Sequence, residues 1–293
     1  MAQFIFCSKM VSNGQSSSFN INMFFWKIFG LWPGREPSKY YKYYSFIYLT
    51  FTLVIYLILL ILNLLFMPRK IVILIKEGIF FFTEIAVAFK VIMILKKRDR
   101  ILEVFDYLDC DKFEGKDHVG INIIDKNISK YKTLWKVIAF ISNIAFVLQC
   151  FVPIILYLIG RKNVELPVSQ YYFLSEDLRS DYYLVLALYQ NLGIYGHMTY
   201  NVNIDTFIAG MIIMTIAQLK VLKHKFSTME LDQAKINFSE NISKLNQILR
   251  HYESIIEYSN IVQDIISLTM FVQFCMGTCI ICVVALLMVC WNC

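Results

Sequence analysis

The sequence predicts an all-α polytopic membrane protein with five transmembrane helices, a cytoplasmic N-terminus and a helical cytoplasmic base. Three observations predict it. Of 293 residues, 58% are hydrophobic and only 17% charged, against about 25% charged in soluble domains. Mean hydropathy is +0.56. Five stretches also reach the length, about 20 residues, that a helix needs to cross ~30 Å of hydrocarbon. A water-soluble globule and a disordered chain are excluded.

The elements follow in order. Residues 1–43 read as a cytoplasmic N-terminal segment with an amphipathic stretch. Phe4-Ile5-Phe6 is too short for the apolar core of a signal peptide, and no small-residue cleavage pattern follows it. Residues 44–66 carry no charge and form span 1. Residues 71–95 form span 2 despite Lys76, Glu77, Glu84 and Lys90, each of which costs about 2.5–3.5 kcal/mol near a bilayer centre. Their seven-residue spacing, taken with Thr83, gathers these groups on one helix side, which suits a bundle interior.

Residues 96–133 are a cytoplasmic loop and 134–159 are span 3. Pro153 lies within that span and is tolerated where neighbouring groups re-satisfy the freed backbone. Residues 160–181 form an extracellular loop. Span 4, 182–219, would reach about 57 Å as one helix. Its middle is polar, with Asn191, His197, Asn201, Asn203 and Asp205. Splitting it there leaves halves too short to cross, so it reads as one long helix continuing beyond the bilayer. Residues 220–264 form a cytoplasmic helical region, and 265–289 are span 5.

Charge placement sets the orientation. The net charge is +6, but in a membrane chain Lys and Arg report sidedness. With the N-terminus inside, 21 of the 28 basic residues lie on the inner side and five on the outer side. A four-span alternative with the N-terminus outside gives 20 and eight, so the count favours five spans without eliminating four. Both arrangements keep the sequons at Asn127, Asn237 and Asn241 inside, away from glycosylation.

The block Lys96-Lys97-Arg98-Asp99-Arg100 reads as a juxtamembrane stop attracted to anionic lipid. Acidic residues follow closely (Glu103, Asp106, Asp109, Asp111, Glu114, Asp117), which argues against nucleic acid. Further on, Phe238, Ile242, Leu245, Leu249, Tyr252 and Ile256 recur at heptad spacing. This stripe either packs on the chain's own fourth helix or contacts another subunit. Cys275, Cys279, Cys282 and Cys290 share one apolar run, where cysteine packs as a small hydrophobe.

No enzyme chemistry assembles from the motifs. His118, His197, His224 and His251 make no metal spacing, and no nucleophile elbow, phosphate loop or dinucleotide fingerprint occurs. No cofactor is implied. His197 and Asp205 are eight residues apart in one helix, about 12 Å by rise. They read as helix–helix hydrogen-bonding groups or as a polar lining.

Specific words in the sequence say more. Asn22-Met23-Phe24-Phe25-Trp26-Lys27-Ile28-Phe29-Gly30-Leu31-Trp32-Pro33 resembles the opening of insect odorant receptors. Leu166-Pro167, then Tyr182-Tyr183-Leu184 and Gln190, is similar to their second extracellular loop entering the fourth helix. Asp205-Thr206-Phe207 with Gln218-Leu219 resembles the inner half of that helix. Leu245 through Arg250-His251 to Ile255-Ile256 resembles the stretch before the fifth span, with Arg250 departing from the usual His-His pair.

The resemblance implies seven spans, a homotetrameric or co-receptor-containing tetrameric cation channel, a pore lined by the seventh helix and an odorant pocket among helices two, three, four and six. The implied location is the plasma membrane. This sequence stops at Trp291-Asn292-Cys293, so spans 6 and 7 are absent from it, and as it stands it is expected not to conduct alone. The alternative reading is a truncated membrane interaction protein that associates or interferes with full-length subunits. A secondary transporter is disfavoured because no internal repeat of broken helices is seen. From the resemblance and the local residues, Phe81, Phe82, Phe146, Cys150, Leu192, Tyr195, Met198 and Thr199 are the candidate pocket lining. Such a pocket would take small volatile organic ligands, bound mainly by burial and dispersion. The competing reading of these residues is helix–helix packing.

Overall fold

A computed structural model describes residues 14–34, 38–110, 113, 117–161, 164–229 and 238–291. Phe4 to Phe6, Asp111, Glu114, Asn237 and the side chains of Phe238 and Cys290 lie outside the described residues. The regular structure of the described residues is helical throughout. A short turn, Gln15–Phe19, leads into α1 (Asn20–Ile28). The first long helix runs through α2 (Lys39–Leu49), a wide π turn (Thr50–Val54) and α3 (Ile55–Phe66). There follow α4 (Ile71–Lys96), α5 (Arg98–Leu108), α6 (His118–Leu158), α7 (Glu176–Asp181), α8 (Tyr183–Ser227) and α9 (Phe238–Trp291). Among the described residues, five helices are long and apolar enough to cross a membrane: Lys39–Phe66, Ile71–Lys96, His118–Leu158, Tyr183–Ser227 and Asn241–Ala285.

Helix α6 begins at His118, inside the stretch read from sequence as a loop. Its early turns bury Gly120, Ile124, Asn127 and Tyr131, a stripe at spacings of four, three and four. An apolar-run criterion misses such a stripe because its other face is charged. Helix α5 buries Ile101, Val104, Phe105 and Leu108 in the same way.

The chain divides into two units. One comprises Met1–Asn22, Lys96–Lys136 and Asp205–Ser267. Its core is an aromatic knot in which the Phe19 ring lies 5.1 Å from those of Tyr131 and Phe207. A side chain at Gly210 would meet Phe19 and Tyr131 at 2.6 and 2.7 Å, so only glycine lets these rings sit against the helix. Asn22 ties the knot, donating to Thr206 Oγ1 at 3.0 Å and accepting from the Tyr131 hydroxyl.

In this unit α9 buries Ile248, His251, Ser254, Ile255, Tyr258, Ile261, Val262 and Ile265. The stripe singled out in sequence does not pack on the chain's own fourth helix: Ile242, Leu245, Leu249, Tyr252 and Ile256 are all exposed. A second apolar stripe on the same helix takes the buried side, and it includes His251 and Ser254, which an apolar pattern passes over. The His251 ring is held by the Gln218 side-chain oxygen at 3.1 Å, and Gln218 donates to the Phe113 carbonyl at 2.6 Å. The juxtamembrane basic block is also paired: Lys97 bridges Asp264 at 2.7 Å and Arg100 bridges Glu103 at 2.8 Å.

The second unit comprises Met23–Leu95, Val137–Ile204 and Leu268–Cys293. Here the Gly-Leu-Trp-Pro word ends α1. Gly30 takes φ +73 and approaches Ser45 Cα so closely that a Cβ would lie 3.2 Å away, a geometry glycine adopts without strain. The chain then turns inward, burying Trp26, Leu31 and Trp32.

Candidate functional site

Within the second unit, α4 presents a ladder of buried charges. Glu77, Glu84 and Lys90 are each 3% exposed or less, and each meets a partner. Glu77 accepts from Asn63 at 2.8 Å and from the Gln170 amide at 3.4 Å. Glu84 pairs with His197 Nδ1, and Lys90 donates to Asn201 at 2.5 Å. The side of α4 that sequence spacing marked as interior is the buried one. A charge in hydrocarbon is tolerated only when paired or hydrogen-bonded, and partners on α3, on α8 and in the 164–174 segment supply that. Lys76 and Thr83 are the exceptions: both are exposed, Lys76 bridging Glu165 at 2.5 Å and the Thr83 hydroxyl donating to the Ile79 carbonyl at 2.8 Å.

His197 therefore does not work with Asp205. Its second nitrogen, Nε2, meets the Thr52 carbonyl at 2.9 Å. Thr52 lies in the π turn, and the neighbouring Phe51 carbonyl accepts from the Tyr189 hydroxyl at 3.1 Å. The turn has a local cause: the Thr52 hydroxyl donates to the Tyr48 carbonyl at 2.8 Å, a back-bond that loosens the regular ladder. Carbonyls of a wide turn are then available to α8 side chains, as buried backbone in a membrane requires.

Two glycines of α8 admit tyrosines of the first long helix. A side chain at Gly193 would lie 2.6 Å from the Tyr56 ring, and one at Gly196 would lie 3.2 Å from the Tyr48 hydroxyl. Tyr56 also stands edge-on to His197, ring centroids 4.9 Å apart.

The segment after α6 closes one end of this unit. Leu166 to Tyr171 are all buried, and Gln190 holds them, accepting from the Val168 amide at 3.0 Å and donating to the Ser169 carbonyl at 2.6 Å. Leu166 and Tyr171 pack with Tyr183 and Ala187. Burial raises the Tyr171 hydroxyl above its ordinary range, so it stays neutral.

The candidate pocket residues divide. Phe146 and Tyr195 meet across α6 and α8 with ring centroids 5.0 Å apart. One turn further along α6, the Cys150 carbonyl accepts from Asn191 at 3.4 Å, and Cys150 itself is fully buried. Thr199 is buried and donates to the Tyr195 carbonyl at 2.8 Å. Phe81 and Phe82 are half-buried and contact each other at 5.8 Å. Met198 is half-buried. Leu192 is 50% exposed. It shares a helix face with Thr199, seven residues on, so the difference lies in what covers that face at each level. Sequence reasoning missed Tyr56, Glu84 and Asn63 as site groups. Only the seven-residue charge spacing hinted at Glu84.

The arrangement is a largely aromatic interior in which Glu77, Glu84 and Lys90 each meet a partner, while the buried Tyr48 and Tyr56 hydroxyls and the Asn191 side-chain oxygen have none among the described residues. Residues 70–292 match the family model described as 7tm Odorant receptor. The chain belongs to that family. Among solved structures it is similar to the insect olfactory receptor OR5 from Machilis hrabei in complex with eugenol. The TM-score is 0.75 at 16% identity, over 92% of this chain and 70% of that one. A second structure of the same Machilis hrabei receptor matches with the same score and coverage at 18% identity. A comparison with curated protein sequences finds no match. The shared helical fold fits a multi-pass membrane protein of the odorant receptor family, and its buried charged ladder belongs to the interior of that fold.

Proposed function

We propose that this odorant receptor chain binds small volatile organic molecules in its second unit, against Phe146, Tyr195, Cys150 and Thr199, with Phe81, Phe82, Met198 and Leu192 bordering the space. With a co-receptor in a tetramer, ligand binding gates a non-selective cation channel in the plasma membrane. The observation that carries the reading is the Phe146–Tyr195 contact beside the buried Cys150–Asn191 hydrogen bond, in a chain of this family. An apolar, aromatic lining suits ligands held by burial and dispersion, with few polar anchors. The relative described in complex with eugenol supports this ligand class.

The orientation proposed is N-terminus inside, supported by 21 of 28 basic residues on that side. The test is co-expression with a full-length co-receptor under whole-cell recording across a broad odorant panel. Odorant-evoked cation current whose tuning shifts with Tyr195→Ala is the expected result. Unchanged dose–response curves at equal surface expression would overturn the pocket. A second reading, association with or interference in full-length assemblies, is favoured by the exposed stripe from Ile242 to Ile256. Loss of partner current without any odorant response would support it instead.

A further inference from the structure

We infer that the start of the first long helix and the end of α1 together form a binding surface for anionic phospholipid headgroups. Three hydrogen bonds bring the two elements together. The Tyr41 hydroxyl donates to the Lys27 carbonyl at 3.0 Å, Tyr44 to the Ile28 carbonyl, and Ser45 to the Gly30 carbonyl. These donors bond to carbonyls at and just beyond the C-terminal end of α1. They hold the end of α1, which carries Lys27, against the first turns of α2, which carry Lys39 and Lys42.

All three lysines are exposed, and none forms an ion pair with a described residue. The charge is of one sign: Glu36 is the only acid before Glu77. Around the lysines stand exposed aromatic side chains, Phe24 at 59%, Tyr43 at 71% and Tyr40 at 86%. Exposed apolar groups continue along the helix at Phe46 and Ile47, as a hydrocarbon-facing surface requires.

Aromatic side chains at the membrane interface, with lysines that snorkel to the headgroups, match a bilayer's own gradient of polarity. An anionic headgroup supplies a countercharge that no described residue gives, and the aromatic rings seat among its glycerol and upper acyl groups. The basic block at 96–100 is a poorer site. Its Lys97, Arg98 and Arg100 are already bridged to Asp264, Asp99 and Glu103. Placement in the cytoplasmic leaflet rests on the N-terminus-in orientation proposed above. Lipid binding itself does not.

The test is titration of the purified, delipidated 293-residue chain with phosphatidylserine and with phosphatidylcholine, read by native mass spectrometry. Wild type should prefer phosphatidylserine. K27Q/K39Q/K42Q should lose that preference by about tenfold or more, since each basic residue near a lipid surface contributes roughly fivefold. The arginine triple, K27R/K39R/K42R, should retain it, and K96Q/K97Q should leave it unchanged. Absence of the preference in wild type, or its survival in the glutamine triple, would overturn the proposal. Equal loss in K96Q/K97Q would overturn the assignment to this surface. Displacement of phosphatidylserine by millimolar inorganic phosphate would also overturn it, by showing a site for a free anion instead.

Discussion

The pair Glu84–His197 is where single side chains matter most. Both are 1% exposed, so removing one leaves the other buried without its partner. We expect His197→Ala to destabilise the protein by about 3–5 kcal/mol, read as a lower Tm of the purified protein in detergent. The double change Glu84→Gln/His197→Gln should recover much of that loss, because neither amide carries charge into the interior. A Tm for His197→Ala equal to wild type would show that the pair carries no stability. Gly193→Ala makes a steric test: its Cβ would sit 2.6 Å from the Tyr56 ring. A cost of about 1–3 kcal/mol is expected for such overpacking. Tyr56→Leu in the same chain should relieve part of it. Outside the spans, Asp117 pairs with His224 at 2.8 Å. Desolvation pushes its carboxyl up, but hydrogen bonds from its own amide, from His224 and from the Gly120 amide outweigh this, and the group titrates below its ordinary value. A carboxyl lowered on folding stabilises the fold fully above its unfolded pKa, about 3.9. That contribution is lost as pH falls through the lower folded value. Asp117→Asn should therefore lower stability at neutral pH and remove this part of the acid sensitivity, measured as Tm against pH. Equal Tm losses at every pH would deny the linkage.

At the scale of an element, α9 carries two apolar stripes with different fates. Ile255 is 2% exposed and Leu249 is 43% exposed. Ile255→Ala should cost about 2–5 kcal/mol through the cavity it leaves. Leu249→Ser should shift stability by no more than about 0.5 kcal/mol. A comparable Tm loss for both would mean that the exposed stripe is covered within the chain. From sequence alone the two stripes compete, and the perfect heptad run looks the stronger. The tertiary fold buries the other because Phe113 and Tyr258, 5.3 Å apart, already pack on that side. His251 joins it because Gln218 meets its ring there, and Ser254 can be buried because its hydroxyl donates to the Arg250 carbonyl of its own helix.

At the scale of the whole molecule, the family and the five long apolar helices make this a multi-pass membrane protein. The orientation proposed for it has a direct measurement. An N-terminal epitope tag should be reached by antibody only after permeabilisation, and a tag inserted between 161 and 164 should be reached on intact cells. The reverse pattern at the N-terminus would favour four spans with that end outside. Helices of 41 and 45 residues, α6 and α8, would each exceed a bilayer's thickness. Both should therefore show hydrogen-exchange protection beyond their most apolar turns.

Much of this was legible in the residues themselves. Apolar length marks the five long helices because unpaired backbone cannot enter hydrocarbon, and that constraint acts locally on each segment. The spacing of Glu77 and Glu84 marks an inward face for the same local reason, since helix geometry alone determines which side chains share a side. The order of short words from Asn22 to Ile256 points to the family by itself. Partner choice was not legible. That Glu84 meets His197 rather than Lys90, that Asn22 bonds Thr206, and that Lys97 rather than Lys27 is neutralised all depend on residues far apart in the chain. Only the tertiary structure decides such pairs. A charge or hydrogen-bonding group is satisfied by whatever lies within about 3 Å of it, and sequence spacing does not report that distance between different helices.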